Sequence, residues 1–124
     1  MSLSPEHQEF FERFKSFWDA PSGERIPELI SPDAIITFTG IGTFSGADYI
    51  GVMSETLATM DDMKVTPIDC AGNGDRLYIS WESSALFDGE PRSWMGVDRF
   101  RIKDGLAIEE QVIFDSAALQ PEAK

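Results

Sequence analysis

The chain is predicted to fold as an α+β domain, with its helices first and an antiparallel meander last. Three features point there. Aromatic residues near the N-terminus recur at helical spacing, at Phe10, Phe14, Phe17 and Trp18. Beyond Asp62 the sequence alternates apolar and polar residues, the period of a sheet with one buried face. Between those stretches stand Asn73-Gly74, Asp88-Gly89 and Asp104-Gly105, dipeptides suited to tight hairpins. A length of 124 residues fits one domain spanning 1–124, with an ordered core over about 4–118.

Ser4-Pro5 offers the first helix an N-cap and a first-turn proline. That helix should stop near Asp19, because Pro21, Ser22 and Gly23 follow. A short helical turn is expected over Glu24 to Ile30. The β-branched run from Ala34 to Thr39 reads as a first strand, and Gly40, Gly42 and Gly46 as a loop. A second helix should cover Ala47 to Met60, with Ile50, Met53 and Leu57 buried. Four strands follow, over Met63 to Ala71, Leu77 to Phe87, Ser93 to Lys103 and Leu106 to Asp115. The last few residues read as a frayed tail.

Charge narrows the function. Asp and Glu number 22 against 10 Lys and Arg, a net charge of -12. That excludes partners held by phosphate neutralisation, so neither nucleic acid nor an anionic membrane is expected. No apolar run reaches the roughly 18 residues of a membrane span, and the N-terminus lacks a secretory pattern. Cys70 is the only cysteine, so a reducing cytoplasm is the expected compartment. It reads as a small buried apolar residue. His7, the only histidine, falls on the polar side of the first helix and is expected to be exposed. Neither a metal nor a cofactor is expected.

Strand alternation singles out one residue. From Ser93 to Lys103, one face carries Trp94, Gly96, Asp98, Phe100 and Ile102, while the other carries every basic residue. The first face must look inward, which puts Asp98 among aromatic groups. A buried carboxyl answers with a raised pKa, and can then donate to a carbonyl oxygen or exchange a proton near neutrality. The bland reading is that Asp98 bonds Ser83, Trp94 or a backbone amide and only orders the fold. A three-residue final loop of Asp104, Gly105 and Leu106 would set Ile102 opposite Ile108, Phe100 opposite Glu110 and Asp98 opposite Val112. Glu110 then projects inward, diagonal to Asp98, with Ile108, Val112 and Phe114 on the same face. On the outer face Arg101 would meet Glu109. Phe14, Phe38, Met53, Trp81, Ser83, Trp94, Val112 and Phe114 are the expected lining of a pocket, although ordinary core packing also explains them.

"GVDRFRIKDGLAIEEQVIFD", following the "DGE" turn, resembles the nuclear transport factor 2-like superfamily, as do "LISPDAIITF" and "FSGADYI". Within it the chain is most similar to SnoaL-like and steroid delta-isomerase-like proteins. The resemblance implies a cone-shaped barrel of a curved, mostly antiparallel sheet wrapped over the N-terminal helices. It also implies a deep apolar pocket and a homodimer formed through the outer sheet face. By the same resemblance, Asp98 occupies the place of the oxyanion-stabilising aspartate of the steroid isomerases. Phe14 stands where they carry a helix tyrosine, and Phe38 where they carry the general base, so steroid isomerisation is not expected. The water-activating Asp-Arg-Asp set of limonene epoxide hydrolase is missing too, its last position being Val112. Glu110 falls where SnoaL-like cyclases often carry a histidine.

Two readings follow. One is a cofactor-free isomerase, cyclase or dehydratase working on a small apolar carbonyl compound through Asp98, with Glu110 assisting. The other is a non-catalytic dimer that binds a hydrophobic ligand or a protein partner. Met95, Val97 and Ile113 on the outer face favour self-association in either case.

Overall fold

The computed structural model describes residues 3–115 and 117. Helix α1 (Pro5–Asp19) and a 3₁₀ turn (Gly23–Glu28) lead into β1 (Ile30–Phe38), β2 (Gly42–Ser45) and α2 (Gly46–Thr59). Strands β3 (Asp61–Asn73), β4 (Arg76–Phe87), β5 (Glu90–Lys103) and β6 (Leu106–Phe114) complete the chain. The six strands form one sheet in the order β2-β1-β6-β5-β4-β3. All neighbours are antiparallel except β1 and β6. The sheet is open and packs its inner face on the helices, the expected α+β arrangement. The expected tail lies outside the described residues, as do the core positions 116 and 118.

Capping and aromatic packing fix α1. Ser4 Oγ accepts from the His7 amide at 3.2 Å, and Arg25 donates to the carbonyls of Ser16 and Ala20 at 3.0 and 2.9 Å. Arg13 reaches from α1 to the carbonyls of Glu28 and Gly105, both at 2.5 Å, and Glu6 accepts from the Gly105 amide at 2.9 Å. These contacts hold α1 against the turn between β5 and β6. Beneath it Phe10 and Phe14 set their rings edge-on to Phe100, with centroids 4.8 and 5.9 Å away.

Several expectations need correction. The glycine segment contains a strand, β2, because Thr43, Phe44 and Ser45 pair with β1. Strand β1 starts earlier than expected, at Ile30, which pairs with Ala107 across a register shift. The helical turn accordingly ends before Ile30. The first hairpin of the meander turns at Gly74-Asp75, since Asn73 pairs with Arg76. His7 is buried rather than exposed, because it lies over Gly72 of β3. A Cβ at Gly72 would sit 2.5 Å from His7 Nδ1. Cys70 is only half-buried on the edge strand, where burial still raises its thiol pKa.

The final hairpin keeps the expected register by an unexpected route. Asp104 and Gly105 have φ of 53° and 81° and form a two-residue loop. Lys103 therefore pairs with Leu106, and Ile102 with Ala107 rather than Ile108. By itself this would turn β6 over. A bulge absorbs Ile108 as an extra residue, and pairing resumes with Arg101 to Glu109, Phe100 to Glu110 and Asp98 to Val112. Ala107 takes the buried place expected of Ile108. The bulge is what aims Glu110 inward.

Candidate functional site

Away from the Phe10 and Phe100 contacts, the concave face of the sheet does not fill. A cavity of about 190 Å³ lies there, between α1, α2 and the inner faces of β1, β4, β5 and β6. Every residue expected to line a pocket touches it. Phe14 comes from α1 and Met53 from α2, while Phe38 stands at the end of β1. Trp81 and Ser83 come from β4 and Trp94 from β5, with Val112 and Phe114 at the end of β6. Asp98 and Glu110 complete the wall, 5% and 6% exposed. No lysine, arginine or histidine lines the cavity.

The cross-strand register sets the carboxyls side by side on the sheet. Asp98 pairs with Val112 and Phe100 with Glu110, so the two acids are diagonal neighbours. Glu110 and the Trp81 indole are the polar groups beside the Asp98 carboxyl, and both act to lower its pKa. Ser83 and Trp94, the expected partners, do not serve: the Ser83 hydroxyl donates to the Lys64 carbonyl at 3.1 Å instead. Trp81 packs its ring against Gly96, its partner on β5, and this requires glycine. A Cβ at Gly96 would come within 2.5 Å of the indole and 2.8 Å of the Ile113 carbonyl.

Burial in this setting changes the chemistry of both acids. Loss of water raises the Asp98 pKa from 3.8 to about 7, and the hydrogen bonds from Glu110 and Trp81 keep it from rising further. Glu110 is held well above the usual carboxylate range, first by burial and then by the Asp98 charge. Near neutrality the pair therefore holds a proton that it can exchange. The remaining oxygens, Asp98 Oδ1 and Glu110 Oε1, are buried and have no hydrogen-bond partner among the described residues. Buried polar atoms are rarely left so.

Sequence reasoning missed Tyr49. Its ring, buried on the first turn of α2, packs 5.7 Å from Phe38, and the residue lines the cavity. The cavity-facing stripe of α2 is Tyr49, Val52, Met53, Thr56 and Met60, whereas Ile50 and Leu57 are half-buried. The observed stripe is anchored on Tyr49, one residue before the expected Ile50. Among the described residues no group of three or more His, Cys, Asp or Glu side chains is placed to hold a metal ion. No helix among them is long and apolar enough to cross a membrane.

A curved sheet over helices, hollow at its centre, is the nuclear transport factor 2-like fold used by small-molecule cyclases and isomerases. The chain belongs to the SnoaL-like domain family, which matches residues 9–110. Among solved structures it is similar to IdmH of Streptomyces antibioticus, a candidate polyketide cyclase. That match has 22% identity and a TM-score of 0.77 over 90% of this chain and 94% of that one. A candidate SnoaL-like polyketide cyclase from Jannaschia sp. CCS1 is 16% identical, with a TM-score of 0.82 over 96% and 94% of the two chains. TerC, co-crystallised with polyporic acid, is 19% identical, with a TM-score of 0.79 over 92% and 95%. At these identities the likeness establishes the fold. No curated protein matches the sequence significantly.

Proposed function

We propose that the protein is a cofactor-free acid/base catalyst acting beside the carbonyl group of a small, uncharged, largely apolar compound. The observation that carries this reading is the pair of buried, unpartnered oxygens, Asp98 Oδ1 and Glu110 Oε1, on the wall of an apolar cavity. Asp98, with a pKa of about 7, takes a proton from the carbon next to the carbonyl. Once Asp98 is protonated, Glu110 no longer gives its proton to that carboxylate and donates instead to the oxygen on which negative charge develops. Returning the proton to another carbon gives isomerisation, attack of the enolate on a second carbonyl gives cyclisation, and passing the proton from Asp98 to a β-hydroxyl, which leaves as water, gives dehydration. The family resemblance supports this set of reactions without choosing among them.

The proton-removal step shared by all three can be tested without knowing the substrate. Small cyclic ketones are incubated with the protein in D₂O, and exchange at the α-carbon is followed by NMR. The wild type should accelerate exchange for at least one of them, and Asp98→Asn should lower that rate about a hundredfold or more. Equal rates for the two proteins, or no acceleration of any ketone, would overturn the reading. A second reading is a ligand-binding module without chemistry. It is favoured by Phe14, Phe38 and Val112, which offer the cavity only carbon. Ligand binding with no exchange would select it.

We also propose that the chain pairs with a second copy through the outer face of β5 and β6. Met95 and Ile113 are 68% and 41% exposed there, with Val97 directly across from Ile113. The lone Cys70 supports a reducing cytoplasm as the compartment.

A further inference from the structure

The cavity wall holds one more hydroxyl that the acid/base scheme leaves unused. Tyr49 is 4% exposed and lines the cavity, yet its phenol has no hydrogen-bond partner among the described residues. It sits on α2, which covers β1, and in β1 Ile36 pairs with Glu110 and Phe38 with Val112. Tyr49 thus approaches the carboxyl pair from the helix side, and the sheet presents the acids from the other. Burial, then Glu110 and Asp98, hold the phenol pKa well above its ordinary value, so the group remains a neutral donor. Phenylalanine would fill the same space against Phe38. The hydroxyl is surplus to packing and is left with its hydrogen-bonding capacity unused by the fold.

We propose that Tyr49 is a ligand-binding donor of this site: its hydroxyl donates to the oxygen of the bound compound, opposite the carboxyl pair. The inference deepens the reading above and rests on it for the identity of the cavity. It defines the ligand as a flat ring compound carrying an oxygen that can accept from the helix side while the sheet acids act on its other edge. The absence of basic side chains from the wall favours an uncharged oxygen, a ketone or a phenol, over a carboxylate or phosphate. A cavity of about 190 Å³ suits one or two fused rings, since one of about 150 Å³ accepts benzene.

The test compares 2-naphthol with 2-methylnaphthalene, which replaces the hydroxyl by a methyl group of similar size. Both are titrated into the full-length protein by fluorescence. The wild type should prefer the naphthol about tenfold, and Tyr49→Phe should reduce that preference to about twofold while hydrocarbon affinity holds. Unchanged hydrocarbon binding shows that the cavity is intact. Should the wild type show no preference, or should Tyr49→Phe retain it, the inference fails. Equal weakening of both compounds would also overturn it, by making Tyr49 a packing residue. If the ketones exchange, Tyr49→Phe should lower kcat more than it raises KM. If no ketone exchanges but the naphthol preference still depends on Tyr49, the catalytic reading falls and this inference stands.

Discussion

On the outer face of β6 the Glu109 side chain is 49% exposed and meets Arg101 Nη1 at 2.7 Å, with Asp75 on the same guanidinium at 3.1 Å. One residue further on, Glu110 is buried in an apolar cavity beside another acid, and its carboxyl is held well above the usual carboxylate range. The two glutamates are adjacent and chemically identical. What separates them is strand parity, which sends one side chain to water and a cation and the other to aromatic rings. An exposed ion pair contributes little, because water and salt already screen it. Burying a carboxylate costs several kcal/mol in a real protein, and that penalty is what raises the pKa of Glu110. The proposed chemistry therefore sits on the face where ionisation is expensive.

The comparison is most directly broken by treating the neighbours alike. Glu110→Gln should lower the ketone exchange rate by about two orders of magnitude, because the neutral acid that meets the developing oxyanion is gone. Glu109→Gln should leave that rate within about twofold. Equal effects from the two variants, measured by the same NMR exchange, would erase the distinction between the faces.

A smaller and independent effect lies in the pH dependence. Asp98 has a folded-state pKa of about 7 against an ordinary 3.8, so between those values the folded chain holds a proton that the unfolded chain releases. Its contribution to stability is present on the acid side and is lost as pH rises through about 7. Exchange should move the other way, rising through the same pH as Asp98 ionises. Urea midpoints should show Asp98→Asn gaining on the wild type between about pH 5 and about pH 8. Parallel curves for the two proteins would contradict the assignment of the raised pKa to Asp98.

The mildest effect on the cavity should come from the outer face. Light scattering at micromolar concentration should give the mass of two chains, and Met95→Arg should bring it to one. Naphthol binding should be nearly unchanged by that substitution. A single-chain mass for the wild type would remove the proposed dimer.

Much of this molecule was written in local pattern. The inward row of Trp94, Asp98, Phe100 and Ile102 followed from alternation, because over Ser93 to Lys103 the other face carries Arg99, Arg101 and Lys103 and the stretch has only one way to turn. A mid-strand aspartate in that row announced the cavity, since a fully packed core would not retain it without reason. Positive-φ dipeptides marked Asp88-Gly89 and Asp104-Gly105 as turns, and both have positive φ.

Other features had no local signal. A two-residue turn and a bulge at Ile108 produce the same outcome for Glu110 as a three-residue turn, so the sequence could imply the facing without its mechanism. His7 reads as a surface residue until α1 is laid over Gly72. Tyr49 and Ile50 are equally good anchors for a helical stripe, and only the docking of α2 over β1 selects the tyrosine. Periodicity is a property of neighbours along the chain, so the sequence by itself determined the elements and their buried faces. The hollow, and the placing of Trp81 beside Asp98, depend on how separate elements meet in space, and only the tertiary structure decided them.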